Sequence, residues 1–265
     1  MTPTMLNMLK QSSVSEQQDA DRPPGRTEPD CFCVNCPAHR LNLCGIGRTA
    51  TSATDEYGTV TPLRSTAHVA RARRIICHPK DWSEFVTVIC SGWAASSIAL
   101  NDGRRQILSI LLPGDVISSA SIFGATSGRT VEAITDVTYR KFRRADVKAA
   151  LLRDYELLEQ FSRTLIEEKE QADQLAVDLG RRTADERVAR HILVLTERLS
   201  NRDLTKGHSI QFPLRRRHIA DATGLTPVHV SKVLSKFQRS GLINIANRSL
   251  AVVDMDELRQ VAFWR

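Results

Sequence analysis

Two groups of residues in this chain have the types and the spacing to do chemistry. The first is a run of cysteines: Cys31, Cys33, Cys36 and Cys44 crowd into one short segment, while Cys77 and Cys90 stand apart. A thiolate is both a metal ligand and a redox-active group. Crowding of this kind points to ligation. A disulfide framework belongs to secreted chains, and the leader of this chain is polar, with no apolar signal core.

The second group lies in residues 216–235, which combine cations with a strict arrangement of small and apolar side chains. Two helices crossing around a tight turn need a small residue at their closest approach and a positive φ at the turn, positions filled here by Ala220 and Gly224. Ile219, Leu225, Val230 and Val233 supply the contacts between the helices. Thr226 suits the N-cap of the second helix and Pro227 its first position. The outward positions are then Pro227, Val228, Ser231, Lys232 and Ser235. Ser231 and Lys232 can bond bases or phosphates, and Val228 can meet a thymine methyl. Arg215, Arg216, Arg217, Lys236 and Arg239 flank the motif and suit phosphate contacts. Double-stranded DNA is therefore the expected partner. Charge agrees: the chain carries +7 overall, and residues 181–265 hold 16 Lys+Arg against 8 Asp+Glu, a net of +8.

The elements that must position these groups can be read from the 265 residues. Residues 1–30 read as a disordered leader and 31–66 as the cysteine-rich segment with a Thr/Ser-rich connector. From 67 to 153 short β-prone runs appear, among them Phe85–Ile89, Ile107–Leu112, Val116-Ile117 and Val137–Tyr139. Gly92, Gly103 and Gly114 recur every eleven residues, as in regularly spaced strands turning round a small roll. Residues 154–180 predict one long helix, in which Leu158, Phe161, Leu165, Ala172, Leu175 and Leu179 keep a 3,4 alternation with Glu168 in the polar slot. This seam predicts a homodimer interface, with packing on the chain's own sensor as the other reading. Residues 181–265 hold a second helix, the helix-turn-helix and two short runs, Leu242–Ile245 and Leu250–Val253, that read as a hairpin wing. No run of about 18 apolar residues exists, so no membrane-spanning helix is expected and the cytoplasm is the expected location.

This order of parts resembles the CRP/FNR superfamily of bacterial transcription regulators over roughly residues 31–258. The marks are Asp-Gly-Arg-Arg-Gln-Ile (102–107), Leu-Pro-Gly-Asp (112–115), the long helix, and Ile-Ala-Asp-Ala-Thr-Gly-Leu-Thr-Pro (219–227). The fold class implied is α+β: an N-terminal, cyclic-nucleotide-binding-like β-roll sensor, a dimerisation helix, and a C-terminal winged helix-turn-helix. The resemblance implies a homodimer on a palindromic DNA site and activation through RNA polymerase. In the cyclic-nucleotide branch an acidic residue and an arginine follow the Pro-Gly-Asp turn. Here Ser118–Thr130 offers no acidic residue and only Arg129, so cyclic nucleotide is not the expected ligand.

The oxygen-sensing branch holds a [4Fe-4S] cluster on N-terminal cysteines, and Cys33, Cys36 and Cys44 resemble its three-cysteine set. The fourth ligand of that branch falls on a late strand, where Arg140 or Tyr139 stands here. Cys31 is the substitute, with Cys77 and Cys90 read as core cysteines that could also reach. A zinc site drawing on His39, and a redox-active or non-functional relic, are the other readings of the cysteines. The family's reading helix carries Glu-x-x-Ser-Arg, against Val228, Ser231 and Lys232 here. Loss of the Glu removes an acceptor for cytosine, and Lys for Arg removes bidentate guanine recognition. The expected function is an oxygen- or redox-switched regulator, an activator of anaerobic or microaerobic genes. A regulator without a cluster and a non-enzymatic interaction module are the alternatives. An enzyme is not expected, because no Gly-rich dinucleotide loop or clustered His/Asp/Glu set is present.

Overall fold

The computed structural model describes residues 63, 65–79, 84–117, 119–123, 128–202, 204–206 and 209–263. The four cysteines from Cys31 to Cys44, and His39, lie outside the described residues.

Among the described residues the roll holds seven strands: β1 (Ser65–Ala70), β2 (Ile75–Cys77), β3 (Phe85–Ser91), β4 (Ala94–Ala99), β5 (Arg105–Leu111), β6 (Thr130–Ala133) and β7 (Val137–Arg143). They form two antiparallel sheets, ordered β1-β7-β3 and β2-β6-β4-β5. Ala70, Ile89, Ala94, Leu111, Val131 and Val137 bury together between the sheets. The three regularly spaced glycines all adopt positive φ, at +80°, +86° and +97°. At Gly92 a Cβ would lie 2.1 Å from the Asp136 carbonyl oxygen, so the turn into β4 admits no side chain. β4 was not foreseen because Ala-Ala-Ser-Ser has low strand propensity. It is an inner strand: β5 and β6 flank it, and its first four residues, all small, are buried. The Val116 run makes only an isolated bridge to Val88 rather than a strand.

The proline-free stretch divides into three helices, α1 (Arg144–Arg153), α2 (Tyr155–Arg181) and α3 (Ala184–Ser200). The breaks are chemical. Asp154 caps α2 by accepting the Leu157 N–H at 3.0 Å, and Thr183 with Glu186 forms a capping box at the start of α3. Gly180 does not end the helix, since α2 runs on to Arg181.

The seam expected on α2 is turned toward its own protomer. Phe161, 1% exposed, belongs to a core with Val86, Val88, Phe142 and Leu151, and Leu158 and Leu165 pack on the same core. Glu168 meets the Ser119 hydroxyl of a 3₁₀ turn at Ser119–Phe123. Leu175 faces a groove walled by β5 and α3, and Leu179 approaches Gly224. Ala172 is exposed. Phe161 in particular is buried within the core of its own roll. A 3,4 alternation states which side chains share a face, but not what covers that face. The large apolar side chains left exposed on α2 are Tyr155 (80%), Ile166 (57%) and Val177 (44%). They are eleven residues apart and so nearly aligned, at about 20° of drift per three turns.

The C-terminal part holds α3, α4 (Arg216–Thr223), α5 (Pro227–Arg239), α6 (Met255–Val261) and a sheet ordered β10-β11-β9-β8. The wing is β10 (Ile243–Ala246) against β11 (Ser249–Val252), turned through Asn247 and Arg248, both at positive φ. β9 (Ser209–Gln211) pairs with β11, and β8 (Thr205–Lys206) with β9, so the wing is two strands of four. This part and the roll share one core: Trp93, Ala95, Ile107, Ile110 and Leu112 of the roll cluster with Val188, Ile192, Ile219 and Val233.

Candidate nucleic-acid interface

The reading face is organised by what α5 buries. Val230, Val233, Leu234 and Phe237 are in the core, which fixes the rotation of the helix about its axis. Thr226, Pro227, Val228, Lys232, Ser235 and Lys236 are left exposed. The Thr226 hydroxyl accepts the His229 N–H at 3.2 Å, and Pro227 occupies the first helical position. Val228 is 66% exposed, an uncovered methyl pair at the start of the helix that suits a thymine methyl. Ser231 is half-buried and donates to the Pro227 carbonyl at 2.9 Å, so its oxygen keeps only acceptor capacity. Lys236 pairs with Asp185 of α3 at 2.5 Å, and a DNA phosphate must compete for it. Arg216 and Arg217, with Arg215, are exposed at the start of α4. His229 is exposed on α5 and Arg248 at the wing turn. Neither was singled out from the sequence, although the Asn-Arg pair between two apolar runs marks a turn tip.

The angle between the helices is set at Gly224, φ +67°, where a Cβ would approach the Leu179 side chain to 2.7 Å. One guanidinium ties this turn to the long helix. Arg187 donates to the carbonyls of Leu179 (2.9 Å), Arg182 (2.8 Å) and Thr223 (3.2 Å), the ends of α2, the linker and α4. Asp178, half-buried, pairs with Arg182 at 3.1 Å and Arg190 at 3.3 Å. Burial raises its pKa, against the lowering pull of the surrounding arginines.

Two further ion-pair sets join the roll to the DNA-reading part. Asp115, the acid of the Pro-Gly-Asp turn, accepts from Arg198 (2.5 Å) and Arg202 (2.6 Å) of the α3 end, and from the Leu112 N–H (2.8 Å). The same arginines donate to the carbonyls of Ile110 and Pro113. Burial pushes the Asp115 pKa up, but the two guanidinia outweigh it and hold the carboxyl below its ordinary value. Arg105 of β5 bridges Glu132 (2.7 Å) and Asp221 of α4 (2.9 Å), and Gln106 donates to the Ala222 carbonyl. His218 on α4 is buried, and its pKa is lowered to about 4 by burial and then by Arg217 and Arg105, so it is neutral at pH 7.

An exposed polar and basic helix face, a fixed inter-helix turn and a flanking wing are the parts of a DNA-reading module. Residues 186–261 match the Crp-like helix-turn-helix domain and residues 68–154 the cyclic nucleotide-binding domain. The nitrogen fixation regulation protein FixK of Bradyrhizobium diazoefficiens is 36% identical over 236 residues, covering 87% of this chain and 94% of that protein. The chain belongs to the CRP/FNR family of transcription regulators. It is similar at 26% identity to the transcriptional activator protein FnrL of Cereibacter sphaeroides, over 87% of this chain and 91% of that one. The solved structure of FixK2 from Bradyrhizobium japonicum matches with a TM-score of 0.68 at 29% identity, covering 75% of this chain and 98% of that chain. Members of this family are regulators and not enzymes, and the roll, helix and helix-turn-helix order is theirs. Among the described residues no helix is long and apolar enough to cross a membrane.

Arg140, at the place of the family's fourth cluster ligand, donates to the Ser65 hydroxyl at 3.1 Å. Cys77 and Cys90 are half-buried, with Sγ near the carbonyls of His78 and Val88. Among the described residues no three His, Cys, Asp or Glu side chains are grouped to hold a metal.

Proposed function

We propose that the protein is a transcription activator that binds a two-fold symmetric DNA site as a homodimer and is switched by oxygen or redox state. The observation that carries the DNA-binding reading is the uncovered face of α5, with Val228, Lys232 and Ser235 exposed beside the exposed Arg216 and Arg217. The similarity to FnrL, a transcriptional activator, supports activation, and contact with RNA polymerase is the route proposed for it. The aligned, exposed Tyr155, Ile166 and Val177 are the surface on which a second copy of α2 would pack. Four thiolates are a donor set that suits iron, and Cys31, Cys33, Cys36 and Cys44 would hold a [4Fe-4S] cluster. Such a cluster supplies an oxygen- and redox-sensitive group at the N-terminal side of the sensor.

Mobility shift on a library of duplexes across a salt series tests the first part. Saturable binding to a palindrome with a steep salt slope is expected, and absence of binding in every redox state would refute it. Anaerobic purification with iron and sulfide analysis tests the second. Brown protein with about four irons per chain is expected, and colourless, iron-free protein would remove the cluster and leave the DNA reading intact.

A further inference from the structure

A cleft of about 810 Å³ opens between the roll and the DNA-reading part, and it shares Arg215, Arg216 and Arg217 with the DNA-facing side. Its size falls within the range of small-molecule sites, roughly 300–1,000 Å³. The roll contributes Arg73 and the loop Ile134–Asp136, and the other wall is the segment Phe212–His218 with Arg248 of the wing.

Five guanidinia line this cleft: Arg73, Arg215, Arg216, Arg217 and Arg248. All five are exposed, and among the described residues none is in an ion pair with a carboxylate. The two acids in the wall are already engaged. Glu132 binds Arg105 at 2.7 Å, and Asp136 binds Arg71 at 2.7 Å and the Ala72 N–H at 2.9 Å. Arg73 sits at φ +70°, a backbone conformation rare for a residue with a Cβ, and the Ala133 carbonyl accepts its N–H at 2.7 Å. His218, uncharged, completes the wall without adding an acid. Five like charges around one open cleft repel one another, and guanidinium forks match phosphate geometry.

We propose that this cleft binds a small polyanion carrying two or more linked phosphate groups, which bridges Arg73 of the roll to Arg215–Arg217 and Arg248 of the DNA-reading part. The ligand acts as a removable staple across the two halves, and so adjusts how the helix-turn-helix is held. This is independent of the cysteine reading. A DNA phosphate is the competing occupant of Arg215–Arg217, and Arg73 separates the two, because it belongs to the roll and not to the reading head.

The test uses inorganic tripolyphosphate as the probe, with calorimetric titration of the full-length protein at fixed ionic strength. One saturable site per chain is expected. Arg73→Gln weakens it about tenfold, the loss of one charge-assisted contact, while affinity for duplex DNA is unchanged. Arg73→Lys restores part of the loss. Circular dichroism confirms that both variants are folded, and Arg248→Gln gives a second reading of the same site from the wing side. The proposal is overturned if tripolyphosphate does not saturate. It is overturned equally if Arg73→Gln and Arg248→Gln leave its affinity unaltered, or if Arg73→Gln weakens DNA binding in parallel, which would make the cleft a stretch of the DNA path.

Discussion

Replacing Asp115 by Asn removes one charge and almost no volume, at the point where the roll is gripped by α3. The side chains of Asp115, Arg198 and Arg202 are 15%, 17% and 11% exposed. An asparagine keeps an acceptor for the Leu112 N–H, so the 112–115 turn survives. What is lost is the charge that compensates two buried guanidinia. Breaking a buried pair from one side costs about 3–5 kcal/mol, and the carbonyls of Ile110 and Pro113, which still accept from Arg198 and Arg202, place this case near the lower end. At about 2–4 °C per kcal/mol for a chain of this size, the melting temperature falls by ~6–12 °C. The acid limb supplies an independent check. The Asp115 pKa is lowered in the folded protein from the model-peptide value of 3.8. Its contribution is therefore complete above pH 3.8 and is lost as pH falls through the lower folded value. The variant should lack that last loss. Scanning calorimetry from pH 3 to pH 7, with Arg198→Met and the Asp115→Asn/Arg198→Met pair to close a double-mutant cycle, measures both. A drop of less than 2 °C at pH 7 with zero coupling to Arg198 would mean that the shared apolar core alone docks the roll, and the reasoning would fail.

Four other outcomes follow from the same geometry. Gly224→Ala meets both a left-handed backbone and the Leu179 side chain. A loss of about 1–2 kcal/mol from the backbone alone is expected in chemical denaturation, with Leu179→Ala relieving only the steric share. Arg187→Ala leaves three helix-end and linker carbonyls without their donor, and should lower DNA affinity in mobility shift more than it lowers thermal stability; the reverse order would refute a coupling role. Ile166→Glu should shift the sedimentation equilibrium to monomer with an unchanged circular dichroism spectrum, and a persisting dimer would move the seam off the Tyr155–Ile166–Val177 face. His191 and His218 each have a pKa lowered to about 4 from 6.5, burial being the first cause for both. Their stabilising share is full above pH 6.5 and is lost as pH falls toward 4, so His191→Gln should flatten the pH dependence of stability in that window.

The parts that were legible in the sequence are those set by neighbours in the chain. Thr226-Pro227 caps a helix wherever it stands, Gly224 permits a left-handed turn, and Gly92, Gly103 and Gly114 mark reversals because no other residue takes φ near +80° easily. The two apolar runs Leu242–Ile245 and Leu250–Val253 likewise foretold the wing hairpin, while the third and fourth strands of that sheet were hidden in three- and two-residue pairings. The α2 seam shows the limit of periodicity. Its face was read correctly as apolar, but Phe161 fills the roll's own core. The contacts that join the two halves were not legible at all. Arg105 and Asp221 are 116 positions apart, Asp115 and Arg198 83, and neither pair differs in type from any solvated ion pair.

Those long-range contacts determine what a signal in the roll can do. Arg187 is bonded at once to the last turn of α2, to the linker and to the end of α4, so α2 cannot slide or rotate at its C-terminus while α4 stays in place unless one of these bonds breaks. Asp115 and Arg105 impose the same condition from the roll side, on α3 and α4 respectively. Glu168 adds a fourth tie, between the middle of α2 and Ser119 of the 3₁₀ turn. Packed cores shift between discrete arrangements rather than deforming smoothly. The helix-turn-helix therefore inherits any rearrangement of α2 or of the Pro-Gly-Asp turn as a change in its own orientation. Regulation of DNA reading in this chain needs no contact between an effector and α5. It needs only a ligand, or a change at the N-terminal segment, that favours one setting of these few charged ties over another.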